Sequence, residues 1–182
     1  MFEICATKIG QIQGGLARLQ HPDRRVVSLS FFSDDEIAIL RKTALAQEFR
    51  KAQTEIKHKK KTVFQDFDVC FPAPRTGVFD QLASQLETAL YDASQRLVRP
   101  PLTVPFRLED FAIQNYPPGA RGIGIHRDGL RYRQIVVIIT LDGTSRLFTC
   151  NDRAGKGKRR IDDRPGRVVL LSAAGFDGRE GD

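Results

Sequence analysis

The chain has 182 residues, of which 41% are hydrophobic, and this length suffices for one well-buried core but is short for two. We therefore expect a single domain over residues 1–182. No segment approaches the roughly 20 consecutive apolar residues of a membrane helix, and residues 1–20 lack the basic start and apolar run of a secretory signal. These features exclude a helical membrane protein and favour a cytoplasmic protein, with a monomer as the default.

Charge and cysteine content narrow the classes further. The net charge of +7 is compatible with an anionic partner such as nucleic acid, although ordinary soluble proteins also carry such balances. The cysteines Cys5, Cys70 and Cys150 are widely spaced and form no Cys-x-x-Cys pair. This pattern argues against both a disulfide framework and a structural zinc site, so we expect reduced, partly buried thiols.

Residues 1–105 are predicted to form a supporting layer of helices and a strand. The run 25–32 is typical of a short strand, and Ser33 with Glu36 then forms a capping box. That box predicts a helix from residue 34 to the late forties. Apolar residues at steps of three and four predict a second helix over residues 78–97, which we expect to pack on the outside of a sheet.

Residues 106–182 are predicted to be rich in β-structure. Extended segments are expected over residues 106–115, 122–126, 134–141, 146–150 and 168–172. The third segment is apolar on both faces and so must be covered on both sides. Asp142 and Gly143 predict a hairpin after it, and residues 164–167 a turn into the last segment. Helices followed by short antiparallel strands indicate an α+β domain whose strands form a barrel or a double-sheet jelly roll.

The chemistry of the chain is concentrated at His126 and Asp128. On a strand, residues two apart point to the same face, so the imidazole and the carboxylate are expected to project side by side into a pocket. A nitrogen and an oxygen donor suit a first-row metal, and a second histidine would complete a facial triad with open coordination positions. His-x-Asp alone is weak evidence, because an exposed histidine paired with a carboxylate gives the same pattern.

The surroundings of the pair strengthen the pattern. Residues 114–119 hold an amide, a tyrosine and a Pro-Gly turn upstream of His126, and an apolar strand, a hairpin and a second Pro-Gly turn follow it. The segment from Gln114 to Ser172 thereby resembles the catalytic core of iron(II)- and 2-oxoglutarate-dependent oxygenases. The closest likeness is to the AlkB-like branch, which oxidatively demethylates nucleic acids. This resemblance implies a double-stranded β-helix, or jelly-roll, core over residues 106–182.

The resemblance also implies roles for individual residues. His126 and Asp128 would bind iron(II), and the hydroxyl of Tyr116 would donate to the carboxylate of the cosubstrate 2-oxoglutarate. Gln114 occupies the position of the family's asparagine, so it keeps an amide on a longer side chain. A half-buried aromatic that anchors the turn before Pro117 is the alternative interpretation of Tyr116. The histidines at 21 and 58 are expected to lie far from the metal.

The family's second metal histidine and its carboxylate-binding arginine are missing after residue 172. We expect a C-terminal truncation, since ending there would leave an open sheet edge. Carboxylates that could substitute as ligands are Asp177, Glu180 and Asp182, whereas Arg179 precedes the expected histidine and does not fit the role of the missing arginine. The alternative function is a catalytically incomplete jelly roll that binds nucleic acid through basic loops.

Two basic clusters remain open to more than one interpretation. Residues 57–61 are better explained by a solvated loop or a fraying helix end than by a phosphate-binding patch. The second cluster is predicted to be a flexible hairpin loop facing either solvent or a nucleic-acid backbone; its cations are Arg153, Lys156, Lys158, Arg159 and Arg160.

Overall fold

The computed structural model describes residues 3–58 and 61–180, and within them the chain forms three α-helices and eleven short strands. The helices are α1 (Ala6–Leu19), α2 (Asp34–Leu45) and α3 (Gly77–Gln95). The strands are β1 (Val26–Ser30), β2 (Arg50–Lys51), β3 (Glu55–His58), β4 (Lys61–Asp66), β5 (Asp68–Cys70), β6 (Ile113–Asn115), β7 (Gly122–Ile123), β8 (Ile135–Ile139), β9 (Phe148–Thr149), β10 (Arg159–Arg160) and β11 (Arg167–Ser172).

The hydrophobic core lies between an antiparallel sheet and two helices. The sheet has the order β1-β11-β8, with Val27 opposite Leu170 and Leu170 opposite Val137. Helix α1 packs on this sheet, and α3 packs against α1. Helix α1 packs closely on β1 at Gly15, where an added β-carbon would lie 3.4 Å from the methyl groups of Leu29.

A second group of strands is organised by the extended segment 61–70, which bends at Phe67 between β4 and β5. One edge of this segment pairs with β2 and β3, and the other pairs with β6 and β7. Asn115 pairs with Asp68 and Gly122 with Asp66. Residues 116–121 therefore form a six-residue loop opposite the single residue Phe67, which is buried.

Several predicted elements are confirmed, with shifted ends. The capping box at Ser33 is present in both directions, and the helices predicted from residue 34 and over residues 78–97 are α2 and α3. The strands predicted over 25–32, 134–141 and 168–172 are β1, β8 and β11. Helix α1 was not predicted, because three glycines in its sequence mask the helical spacing of its apolar residues.

Other expectations are corrected. The turn at Asp142-Gly143 does not join a hairpin, since β8 pairs with β11 and β9 pairs with β10. Of residues 106–115 only the last three are in a strand. Helix α3 packs mainly against the unpredicted α1, which separates it from the sheet.

The described residues of the basic cluster at 57–61 lie in strands, not in the predicted loop or helix end. Lys57 and His58 lie in β3 and Lys61 begins β4, while Lys59 and Lys60 lie outside the described residues. The Nζ atom of Lys57 lies 3.3 Å from a carboxylate oxygen of Glu55. The strands pair because alternating residues such as Ile56 and Val63 place apolar side chains opposite one another.

The described chain combines helices with small antiparallel sheets, as an α+β domain does. Its described strands do not close into a barrel, and the jelly-roll arrangement stays a prediction. None of the helices in the described ranges has the length and apolar character needed to cross a bilayer.

The ion pair that joins α1 to α2 generates a pH prediction. The Nζ atom of Lys8 donates to Glu36 Oε1 at 2.6 Å, and Oε2 accepts from the main-chain nitrogen of Ser33 at 2.9 Å. Burial alone would raise the pKa of Glu36, but these hydrogen bonds outweigh it and the pKa is lowered from its ordinary value of 4.5. The ionised carboxylate therefore stabilises the fold above pH 4.5, and this contribution is lost as the pH falls through the lowered pKa.

We expect Glu36→Gln to lower the free energy of unfolding by about 1 kcal/mol at neutral pH, since the amide can keep the capping box but not the ion pair. The difference from wild type should shrink in acid, as measured by urea unfolding over a pH series. Asp35→Asn, at an exposed residue of the same helical turn, is the control. An undiminished difference in acid would contradict the assignment.

A second prediction concerns Gln134, which precedes β8 with a left-handed φ of 62°. Its main chain bonds Ala173 and Ala174, and its buried Oε1 has no hydrogen-bond partner among the described residues. Gln134→Gly removes both the strain of the left-handed φ and the buried oxygen without a partner. These two gains exceed the conformational entropy that glycine loses on folding, so the substitution should raise the free energy of unfolding by about 1 kcal/mol. Gln134→Ala, which keeps the strained φ, should gain less; equal gains in thermal unfolding would exclude backbone strain as the cause.

Candidate metal centre

The segment that carries His126 and Asp128 is held by β4. Strand β7 ends at Ile123, and the main-chain nitrogen of Gly124 donates to the carbonyl of Phe64 at 3.0 Å. A β-carbon at Gly124 would lie 3.0 Å from the ring of Phe64. Glycine suits this close approach of the two segments, because any side chain at position 124 would have to displace the ring of Phe64.

The two candidate metal ligands lie next to each other although they are not on a strand. Residues 125–128 have an irregular conformation, so the prediction of a strand over 122–126 is wrong beyond Ile123. The Nε2 atom of His126 nevertheless lies 3.4 Å from Asp128 Oδ1. First-row metals bind nitrogen and oxygen donors at about 2.1 Å, so two donors less than about 4 Å apart can share one ion.

The hydrogen bonding of His126 fits a metal ligand. Its Nδ1 atom lies 2.8 Å from the carbonyl oxygen of Gly124, so this nitrogen carries the hydrogen when the ring is neutral. That tautomer leaves the Nε2 lone pair facing Asp128. A carbonyl that fixes the tautomer and the ring orientation in this way is the usual partner of a metal-bound histidine.

The metal-free pair also behaves as an ion pair. The hydrogen bond with Asp128 raises the pKa of His126, burial and the charge of Arg153 oppose this, and the carbonyl of Gly124 adds to the rise. An ion bound at Nε2 must displace the proton, so metal binding is expected to weaken as the pH falls. The side chains of His126 and Asp128 are 33% and 41% exposed, so the pair is accessible to solvent.

Among the described residues, no third metal ligand accompanies the pair. Within residues 3–58 and 61–180, His, Cys, Asp and Glu form no group of three or more suited to a metal. The carboxylate of Asp177 accepts from Arg99 at 2.7 Å and from Gln20 at 3.2 Å, so it is already engaged elsewhere. Glu180 joins no such group, and Asp182 lies outside the described residues. The donor set therefore fits part of a facial triad and does not complete one.

The other two histidines have separate surroundings. The Nδ1 atom of His21 accepts from the main chain of Asp23, and its carbonyl accepts from the guanidinium of Arg179 at 2.9 Å. The same guanidinium binds the carbonyl of Leu19 at 2.6 Å. Arg179 thus fastens the end of α1 and is not available as a carboxylate ligand. The side chain of His58 lies outside the described residues.

The predicted cosubstrate residues contact each other. The hydroxyl of Tyr116 donates to the side-chain oxygen of Gln114 at 2.8 Å, and its ring lies 5.0 Å from the ring of Phe67. Tyr116 is 43% exposed, yet burial of its hydroxyl raises the pKa to about 12. The phenol is therefore neutral and able to donate a hydrogen bond at physiological pH.

The two pairs are attached to the same segment, residues 61–70. Tyr116 contacts Phe67, and the chain leading to His126 is bonded to Phe64. Three residues of extended chain span about 10 Å. No hydrogen bond, ion pair or ring contact of the described residues joins the pairs directly, so a small molecule would be needed to bridge them.

The sequence did not predict one neighbour of the pair. A β-carbon at Gly155, in the loop between β9 and β10, would lie 3.4 Å from Cδ1 of Ile125. This contact places the middle of the second basic cluster beside Ile125, which precedes His126 in the chain. Gly155 lies thirty positions after Ile125 in the chain, and no local sequence pattern indicates a contact over that separation.

Comparison of the chain with protein-family models, curated proteins and solved structures gave no match. The functional assignment consequently depends on the residues and contacts described above.

The geometry predicts weak metal binding that depends on both residues. In a titration of manganese(II) into the 182-residue chain, His126→Ala and Asp128→Ala should each weaken binding at least tenfold, because each removes one of two donors. His21→Ala is the matched control and should leave the affinity unchanged, since His21 contacts other segments. Equal affinities of wild type and His126→Ala would show that the pair is incidental.

Proposed function

We propose that the protein is an iron(II)- and 2-oxoglutarate-dependent dioxygenase. In this reaction a substrate C–H bond, 2-oxoglutarate and oxygen give a hydroxylated substrate, succinate and carbon dioxide; one oxygen atom enters each of the first two products. The observation that carries the proposal is the His126–Asp128 pair, whose Nε2 and Oδ1 atoms lie 3.4 Å apart with Nδ1 fixed by Gly124. Iron(II), when bound, supplies the activation of oxygen.

The chain's own residues hold the reactants. His126 offers a neutral Nε2 lone pair, and Asp128 an anionic oxygen that offsets the charge of the ion. The phenol of Tyr116 is neutral at physiological pH. Its hydroxyl donates to the side-chain oxygen of Gln114 and can instead donate to a carboxylate of the cosubstrate. Tyr116 contacts Phe67, and the chain that leads to His126 is bonded to Phe64. Residues 64–67 therefore hold the two side chains at a fixed position relative to each other.

An alkylated base in nucleic acid is the substrate class that the AlkB-like resemblance suggests. Such a base must be flipped out or single-stranded to reach the ion, and removal of its methyl group releases formaldehyde after hydroxylation. The cations of the loop near Ile125 support an anionic substrate. We further propose that the core is a jelly roll and that the protein is a cytoplasmic monomer. The cytoplasmic location agrees with the free thiols of Cys5, Cys70 and Cys150.

A second candidate function is a binding module that no longer activates oxygen. The observation that favours it is the absence of a third metal ligand among the described residues. Its basic loop would then bind nucleic acid without chemistry, and the affinity would fall steeply with added salt.

Succinate release distinguishes the two functions without knowledge of the primary substrate. The natural protein, supplied with iron(II), 2-oxoglutarate and oxygen, should form succinate at a rate that His126→Ala lowers at least tenfold. Tyr116→Phe should raise the 2-oxoglutarate concentration needed for half-maximal rate about tenfold, because it removes one hydrogen bond to a charged group. No succinate above a protein-free control, with salt-sensitive oligonucleotide binding, would establish the binding module instead.

A further inference from the structure

Strand β1 lies at an edge of the β1-β11-β8 sheet, so one of its two sides has no partner strand in the described part of the chain. The main chain of Arg25 and of Phe31 is bonded at 3.0 Å to β11 and to the residue that precedes it. Main-chain groups of a strand point to alternate sides, so those of Val26, Ser28 and Ser30 point away from β11. These groups form the open edge of β1.

The open edge is largely unbonded among the described residues. The carbonyl of Ser28 accepts from the guanidinium of Arg167 at 3.1 Å, and its second lone pair is available. The main-chain groups of Val26 and Ser30 on this side take part in no hydrogen bond of the described residues. An edge of this kind readily pairs with another strand.

A groove of about 440 Å³ runs beside the open edge, between β1 and α1. Its α1 wall includes Gly10 and Gly14, and a β-carbon at either residue would meet no atom within 4 Å. Glycine inside a helix costs about 1 kcal/mol relative to alanine. Gly15 lies against Leu29, but Gly10 and Gly14 have no such neighbour in the described fold. Their missing side chains leave room for a second helix to approach α1 closely.

The charges at the two ends of β1 have opposite signs. Arg24 precedes the strand, Asp34 and Asp35 begin α2 shortly after it, and all three side chains are exposed. None of these side chains has an ion-pair partner among the described residues. An antiparallel copy of β1 would bring the basic end of one chain to the acidic end of the other. The open edge is therefore self-complementary in charge, although each chain carries a net charge of +7.

We propose that two copies of this chain associate through the open edge of β1, forming one continuous antiparallel sheet. In the register that uses all three edge residues, Ser28 lies opposite Ser28 of the second copy, and Val26 lies opposite its Ser30. Each pair exchanges two hydrogen bonds. The two-fold axis is perpendicular to the sheet, so the α1 helices lie side by side with Gly14 of each at their contact. This inference does not rest on the oxygenase function, and the proposed monomer is the form at low protein concentration.

The test is sedimentation equilibrium of the 182-residue chain over a series of micromolar concentrations. The average mass should rise from that of a monomer to that of a dimer and no further, because a two-fold interface is closed. Gly14→Leu should weaken association at least tenfold by separating the helices, without lowering the temperature of thermal unfolding. A monomer at every concentration would overturn the proposal.

The matched control is Ala38→Leu, which adds the same side chain at an exposed residue of α2 outside the groove. It should leave the dimer unchanged. A dimer that Gly14→Leu and Ala38→Leu affect equally would show that the copies associate through a different surface, and the proposal would be overturned.

A charge exchange tests the antiparallel arrangement. Arg24→Glu and Asp34→Arg should each weaken association at least threefold, because each places like charges at both ends of the shared strand pair. The double variant should regain most of the affinity of wild type, since the opposite charges meet again in exchanged positions. Losses that add in the double variant would exclude this alignment and the proposal with it.

Cysteine crosslinking tests the register. In the proposed pairing the α-carbons at position 28 lie about 5.5 Å apart, which suits a disulfide, whereas those at position 30 lie roughly 15 Å apart. Under copper-catalysed air oxidation, Ser28→Cys should form a linked dimer. Ser30→Cys should form one no faster than wild type, which accounts for the exposed Cys5. Crosslinking of Ser30→Cys that equals that of Ser28→Cys would overturn the pairing.

Discussion

The pairing of the segment 61–70 on both of its edges is the constraint on which the candidate site depends. Each of β4 and β5 has a partner on either side, so this short chain fixes β2 and β3 relative to β6 and β7. Six residues, 116–121, must then pass opposite Phe67 alone, and they form a loop. The loop begins at Tyr116, which contacts Phe67, and the chain after it reaches Gly124, which is bonded to Phe64. Loops held in place by a rigid scaffold commonly carry functional side chains.

The apolar sandwich of α1, α3 and the β1-β11-β8 sheet supports the site from a distance. Val168 and Leu170 of β11 point into the core, while Val169, between them, is buried on the opposite face. Burial on both faces explains why this strand is apolar at every position from 168 to 171. Arg179 then ties the chain after β11 to the end of α1 through main-chain carbonyls. The guanidinium thereby replaces the hydrogen bonds that the last turn of a helix otherwise lacks.

The sequence predicted elements wherever the signal is local. The capping box at Ser33 and the regular apolar spacing of α3 depend only on neighbours in the chain, and both are present. Local signals failed where tertiary contacts determine the structure. The glycines of α1 disfavour a helix by themselves, but Gly15 lies against Leu29 of β1 in the packed fold. At the site, residue spacing placed His126 beside Asp128 correctly, although through an irregular segment. The loop holding Arg153 could not be placed, because its approach to Ile125 depends on tertiary structure.

The electrostatics of the site follow from these placements. Asp128 Oδ1 lies 3.4 Å from the Nε2 atom of His126, and the charge of Arg153 opposes the rise in the pKa of His126. A divalent cation held by His126 and Asp128 would carry a net positive charge after one carboxylate is counted, and Arg153 adds to it. The combination repels a further cation and attracts an anion. An anionic ligand bound beside the ion would therefore offset the charge that the chain's own residues leave uncompensated.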